Sequence, residues 1–340
     1  IEQGLVKEST LGHSSGGRKP TMLHINTGAY YVIGIDAGPE TVECILTDLA
    51  GGILQRTSSL LKKPLTNETF IDVLKENVYA ILGRADVNQE KIIGIGIAMH
   101  GVVDAETGMS RIAPILNLTN IPIKDVLEQE FNLTVRVEND ARAMALGESW
   151  FGGRDDAGSM AAVNVGHGVG AGIVINGKLY HGAEGIAGEL GHMIIDINGE
   201  KCECGNRGCL QTIVSGKAIA KRGNKRLKES PDSLTAKDLF EMAENGCQTC
   251  IELFRETGVM IGIGLTNFIH LVNRGKIVLG GGVMKGGRFI LPAIRETIQQ
   301  KALTAEARQT EVTITKLGDE ATLYGAVSLL LAELFDPVLK

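Results

Sequence analysis

Apolar and polar positions along this chain follow two alternating rhythms. Tyr31–Asp36 is an apolar run that ends in a carboxylate, which predicts a buried strand. Cys44–Asp48 and Ala50–Leu54 read as a hairpin. Phe70, Val73, Leu74, Val78, Ile81 and Leu82 then fall at helical spacing, which predicts a helix over 68–84. Ile92–Met99 is a buried strand, 123–131 a helix, and Thr134–Glu138 a strand running into Asn139-Asp140 and a helix over Ala141–Trp150. A second strand set follows. Ala161–Val165 leads through Gly166–Gly172 to Ile175, and Asn176-Gly177 turns the chain into Lys178–Tyr180. Residues 212–260 are mostly helical, Lys276–Leu279 is a strand before three glycines, and 321–335 form an apolar helix. Residues 1–29 are polar and Gly-rich and read as a turn and linker. Alternating strands and helices give an α/β class. Each half opens with a hairpin beside a Gly-bearing loop, Gly34–Gly38 and Gly166–Gly172, an arrangement suited to clamping a phosphate or a sugar.

Composition narrows the function classes. At 340 residues the chain suggests two domains. The net charge of −6 makes the chain as a whole a poor partner for phosphate backbones, and 14 aromatic residues are few for base stacking. Glycine is the outlier, at 44 residues, and no fibrous period accounts for it. No apolar run is long enough to span a membrane, and the first 20 positions lack a secretory pattern. The expected location is the cytoplasm, with no membrane partner. The chain does not start with Met, so residue 1 is not expected to be the translational start. The sequons at Asn67, Asn117 and Asn132 are then chance.

Three of the six cysteines crowd into eight residues, as Cys202-x-Cys204-Gly205-x-x-Gly208-Cys209, with nine residues between His192 and Cys202. Three thiolates and one imidazole make a closed tetrahedral zinc set; the alternative is a cluster of free thiols. With no open position, Zn2+ would be structural, holding the segment Glu189–His192. Cys247-x-x-Cys250 reads as two helical side chains without a function.

Ala187-Gly188-Glu189-Leu190-Gly191-His192-Met193, followed by the cysteine block, resembles the signature of the ROK family of sugar kinases and sugar-responsive repressors. Glu138–Ala143, Gly168-Val169-Gly170-Ala171-Gly172 and Gly280–Val283 support the resemblance, which covers about 30–335. It implies two actin-like, ribonuclease H-like lobes around a sugar cleft, with a structural zinc loop. The first lobe would be 30–137 plus 321–340, the second 138–320 with the zinc loop at 192–209, and 1–29 the remnant of a winged helix-turn-helix with its linker. On matching positions, the family's sugar contacts are Asn117, Asn139, Asp140, Glu189 and His192. Carboxylates and amides suit vicinal hydroxyls because they take them in paired hydrogen bonds. The family Glu after the last Cys-Leu is here Gln211.

The family's kinases need a base and two phosphate loops. Asp140 matches the base, but a sensor also needs it to bind a hydroxyl. The kinases' first loop reads Asp-x-Gly-Gly-Thr-Lys. Here it is Asp36-Ala37-Gly38-Pro39-Glu40-Thr41. Pro39 has no N–H to donate, and Glu40 puts a carboxylate where an anion should sit. Two like charges about 4 Å apart repel by about 4 kcal/mol at an effective dielectric of 20. Gly168, Gly170, Gly280 and Gly281 remain from the other phosphate loops, but His167 replaces a small hydroxyl residue and His100 a proline. ATP binding is expected to be lost or badly weakened. Gly4–Glu8 and Ser14–Asn26 resemble the join after the repressors' winged helix-turn-helix, and Lys7, Arg18 and Lys19 offer phosphate contacts only. The resemblance therefore implies a sugar-responsive repressor of the type that answers xylose or N-acetylglucosamine. Its partners would be a sugar or sugar phosphate, operator DNA, and copies of itself in a homodimer or homotetramer. An ATP-dependent hexose kinase is the alternative. Leu323–Leu334 offers either a dimer face or plain core packing.

Overall fold

A computed structural model describes residues 4–11, 21–153, 159–230, 233–273 and 275–335. The chain divides into two compact units, Ile1–Ala143 with Thr322–Lys340, and Met144–Ala321.

The first unit opens with a difference from the sequence reading. The stretch read as turn and linker carries two strands, β1 (Val6–Leu11) and β2 (Thr21–Ile25), paired antiparallel with Val6 opposite Ile25. The backbone pairing of a two-stranded ribbon tolerates polar side chains on its exposed faces, so an apolar search passes over it. Arg18 and Lys19 lie outside the described residues.

A five-stranded sheet follows, from β3 (Tyr31–Ala37), β4 (Thr41–Asp48), β5 (Ile53–Leu60), β6 (Ile92–Met99) and, after a three-stranded sheet, β10 (Thr134–Asn139). Its order is β10-β6-β3-β4-β5, with β3, β6 and β10 parallel and β4 antiparallel to both of its neighbours. Between β5 and β6 runs α1 (Asn67–Arg84), started by a capping box of Thr66 and Thr69. Its Phe70, Leu74, Val78 and Ile81 pack with Ile33, Ile35, Ile95 and Ile97 in one core. The three-stranded sheet comprises β7 (Val102–Asp104), β8 (Met109–Ala113) and β9 (Leu118–Ile121), and α2 (Ile123–Phe131) leads from it to β10.

From β10 the chain enters α3 (Asp140–Phe151) and the second unit's sheet, β11 (Ser159–Val165), β12 (Val169–Ile175), β13 (Lys178–Leu179), β14 (Lys276–Gly280) and β15 (Glu311–Ile314). Its order is β13-β12-β11-β14-β15, with β11, β14 and β15 parallel and β12 antiparallel to its neighbours. Numbered within each unit, both sheets run 3-2-1-4-5 with the same strand directions. Between β13 and β14 stand α4 (Gln211–Val214), α5 (Gly216–Leu227), α6 (Ala236–Glu244) and the long α7 (Gln248–Val272). Then α8 (Gly287–Lys301) and the short α9 (Ala305–Arg308) precede β15. Leu253, Ile261, Leu265, Ile290 and Ile294 join α7 and α8 to the sheet core around Val163, Val165 and Leu279.

The last helix, α10 (Ala321–Phe335), returns to the first unit. Its Leu323, Val327, Leu330 and Leu331 are buried within that unit, so the apolar stripe is core packing and not a face for a second copy. The close approach has a local cause. A Cβ on Gly96 of β6 would stand 1.8 Å from the Ala326 carbonyl oxygen, so only glycine lets α10 lie there. No described helix is long and apolar enough to cross a membrane.

Candidate metal centre and sugar-contact residues

In the first unit, Asn139 and Asp140 meet where β10 ends and α3 begins. The Asn139 side chain works both ways. Its Nδ2 donates to the Gly101 carbonyl and to Asp140 Oδ1, both at 2.9 Å, while its Oδ1 accepts from the N–H groups of Ala141 and Arg142. Those N–H groups belong to the helix start, which otherwise lacks partners for them. Asp140 Oδ1 also accepts from Ala141 N–H at 2.8 Å. Beneath this pair lies an ion pair that the sequence reading did not single out. Arg142 Nε donates to Glu138 Oε1 at 2.6 Å, both side chains are almost wholly buried, and Arg142 also reaches the Val103 carbonyl. Its only sequence signal is the Glu/Arg spacing of four.

Asp36 is the second-last residue of β3, which β6 separates from β10. Burial first, then the charges of Asp140 and Glu43, pushes its carboxyl up to about 8. The loop beyond it is a tight hairpin, closed by Gly38 N–H to the Thr41 carbonyl at 3.0 Å, with Pro39 and the exposed Glu40 at its tip. His100 Nδ1 lies 3.3 Å from the Ala37 carbonyl. Asn117 sits apart from this group. It is exposed, in left-handed conformation at φ 56°, and no hydrogen bond among the described residues joins it to Asn139 or Asp140.

In the second unit, the ligand atoms of His192, Cys202, Cys204 and Cys209 lie within 4.8 Å of one another. His192 Nδ1 stands 3.8 Å from Cys202 Sγ, and Cys204 Sγ stands 3.6 Å from Cys209 Sγ. Ligands at Zn–S and Zn–N bond lengths in a tetrahedron stand about 3.5–3.8 Å apart, so the donor set fits a closed four-coordinate ion. The loop is built for it. Cys202 N–H bonds the Asn206 carbonyl, Gly205 N–H bonds the Cys202 carbonyl, and Ile194 bridges to Cys209. At Gly208, φ is +69° and a Cβ would lie 1.5 Å from the Asp196 carbonyl oxygen, so no other residue turns the chain back there.

Glu189 precedes a 3₁₀ turn over Leu190–His192 and is exposed. Gly188 N-terminal to it touches β12 directly: a Cβ there would stand 1.9 Å from the Ala171 carbonyl, whose own N–H bonds Gly188. His192 divides its nitrogens, with Nδ1 toward the thiols and Nε2 3.9 Å from Glu189 Oε2. Gln211, expected to meet sugar, donates its Nε2–H to Cys202 Sγ at 3.4 Å. Its Oε1 lies on the other side, 3.5 Å from where a Gly168 Cβ would be. The glycine loops gather in the same unit. Gly166 N–H bonds the Gly168 carbonyl at the β11–β12 turn, and Gly170 opposes Asn164 in the strands. Gly280 ends β14, and Gly281 follows, close to Asn164 and Val165. So Cys202, Gln211 and Gly168 form one chain of neighbours, and Glu189 joins it through His192.

A model of the ROK family matches residues 32–333. The chain belongs to the ROK family. A xylose repressor from Caldicellulosiruptor bescii is 31% identical, over 98% of this chain and 86% of that protein. A glucokinase from Halalkalibacterium halodurans is 32% identical, over 87% of this chain and 93% of that enzyme. Among solved structures, a ROK family transcriptional regulator, a homologue of the Escherichia coli Mlc protein, superposes with a TM-score of 0.85 and 27% identity, covering 99% of this chain and 87% of that one.

Proposed function

We propose that this chain is the effector-binding and oligomerisation region of a sugar-responsive repressor of carbohydrate-utilisation genes, acting in the cytoplasm. One observation carries this reading: the reach of the likeness. The family match starts at residue 32, after the β1–β2 ribbon. The xylose repressor's match leaves out 2% of 340 residues, about seven, too few to leave out the ribbon; the glucokinase's leaves out 13%, about 44. The hairpin tip at Pro39 and Glu40 agrees, since it offers an approaching phosphate one N–H fewer and one negative charge more.

In this reading both units are actin-like lobes. Asn117, Asn139, Asp140, Glu189, His192 and Gln211 are the residues offered for contact with a sugar or sugar phosphate, with xylose the first candidate. Zn2+ is held by His192, Cys202, Cys204 and Cys209 as a closed set, and supplies rigidity only. His192 orients Glu189 through Nε2, as a metal-bound imidazole does with a carboxylate partner. The β1–β2 ribbon is the wing that joins these units to DNA-reading helices. Sugar re-spaces the heads of a dimer or tetramer and breaks its match to half-sites about 34 Å apart. An ATP-dependent hexose kinase is the second reading, favoured by Asp140, whose carboxylate two N–H donors hold in one orientation at the start of α3, where a base for the sugar hydroxyl would be needed.

The test is a thermal-shift screen of xylose, glucose, N-acetylglucosamine and their phosphates. A ligand at 100 times its Kd adds about 2.7 kcal/mol of stability, and Asp140→Asn should erase the shift. A screen without a hit removes the sensor reading. ADP release at about 1–100 per second with any of these sugars would make the protein a kinase.

A further inference from the structure

Two cysteines stand outside the metal cluster at the start of α7. The sequence reading took both as helical side chains; the structure places Cys247 outside the helix as its N-cap, at φ −63° and ψ 105°, and Cys250 in its first turn. Gly246, at φ +89°, turns the chain into the cap, and Cys247 N–H bonds the Met242 carbonyl at 3.0 Å. An N-cap side chain folds over the third helical residue. Two other helices of this protein show what that does. Thr66 and Thr69 hydroxyls meet at 3.4 Å, and Thr235 Oγ1 meets Asp238 Oδ2 at 2.7 Å. At α7 the same two positions hold sulfur.

The two thiols differ in their surroundings. Cys247 is half-buried, and its side chain makes no capping hydrogen bond of ordinary length, but the nearby backbone N–H of Cys250 foremost holds its thiol below the ordinary range. The positive end of a 25-residue helix acts in the same direction. Cys250 is 1% exposed, packed with Leu253 and Phe254, and burial pushes it up to about 12. Among the described residues, the one cluster fit for a metal is at His192, so no third ligand gathers here. Cys44 is buried in the other unit's core.

We propose that Cys247 and Cys250 form a reversible dithiol–disulfide pair that exchanges with low-molecular-weight disulfides. The Cys247 thiolate attacks one sulfur of glutathione disulfide, forms a mixed disulfide and expels one glutathione thiolate. Cys250 then gives up its proton, attacks the Cys247 sulfur and expels the second glutathione. The pair loses two electrons to glutathione disulfide, and its two protons end on the two glutathione thiols released. The new bond spans only the first turn of α7, so the core below keeps its packing in both states.

The full chain should be equilibrated in glutathione buffers from reduced to oxidised, alkylated and digested with trypsin. Cleavage after Lys237 and Arg255 gives a peptide, 238–255, in which Cys247 and Cys250 are the only cysteines. This peptide is expected to pass to a form two hydrogens lighter, fully reversed by dithiothreitol. Cys250→Ser, with no second thiol to resolve the adduct, should instead keep one glutathione on Cys247. In the reduced native protein iodoacetamide should modify Cys247 at least tenfold faster than Cys250. Free thiols at both positions in fully oxidised buffer, a wild-type peptide that stops at the glutathione adduct, or faster labelling of Cys250 would each overturn the pair.

Discussion

Gln211, expected to meet a sugar, instead donates its amide N–H to the Cys202 sulfur. A thiolate that accepts an N–H is a better-held ligand than one facing solvent. Gln211→Ala should therefore weaken metal affinity by about 10–100-fold, read by competition with a chromophoric chelator. Unchanged affinity would detach Gln211 from the centre. Asp36 makes a different prediction. Its folded pKa, about 8, lies above its unfolded value, so the folded state holds a proton that the unfolded state has released. The stability this proton contributes is complete below about pH 4 and is lost as pH rises toward 8, with a slope of at most about 1.4 kcal/mol per pH unit. Asp36→Asn should flatten that slope in denaturant titrations between pH 4 and 8. An unchanged slope would mean that Asp36 ionises normally.

Elements here are fixed by close backbone approach and by buried charge. Gly96→Ala sets a methyl group against the Ala326 carbonyl and should cost about 2–4 kcal/mol, because backbone cannot move aside as a side chain can. Urea midpoints would show it, and a loss below 0.5 kcal/mol would refute the contact. At the start of α3, Arg142→Met leaves Glu138 buried and charged, which should cost about 3–5 kcal/mol. The double change to Glu138→Gln with Arg142→Met should recover part of it. If the single and double variants were equally stable, the ion pair would not carry that helix start. Much at this scale was legible in the sequence. Apolar rhythm marked both β-hairpins, α1 and α10, since each buries one clear face or a continuous run. The β1–β2 ribbon, β7–β9 and α8 were not, because the short strands mix polar residues with few apolar ones and α8 holds Pro292.

The molecule consists of two units with one strand plan, and among the described residues the Cys/His cluster lies in the second. Chelation should act accordingly. Removing the ion is expected to raise hydrogen exchange across 189–211 by tenfold or more while the sheet at 31–60 and 92–99 keeps its protection. Equal loss in both units would show that the ion stabilises the whole chain. The site was half legible. The Cys-x-Cys-Gly-x-x-Gly-Cys spacing pointed to the cluster, since few arrangements other than a metal loop need three thiols so close. The direction in which Gln211 points was hidden, because it is set by the turn from Cys209 into α4.

The sequence by itself determined the class, the two glycine-loop hairpins, the Cys/His cluster and the altered tip at Pro39 and Glu40. Each is local: it rests on periodicity, on the φ a residue permits, or on the atoms a side chain offers. Only the tertiary structure decided the rest. It assigned the nitrogens of His192, set Gln211 beside Cys202, raised Asp36 through its neighbours, buried the α10 stripe, and split Cys247 from Cys250 by exposure. Those outcomes depend on distance, burial and direction in the folded chain, and a residue's identity fixes none of them.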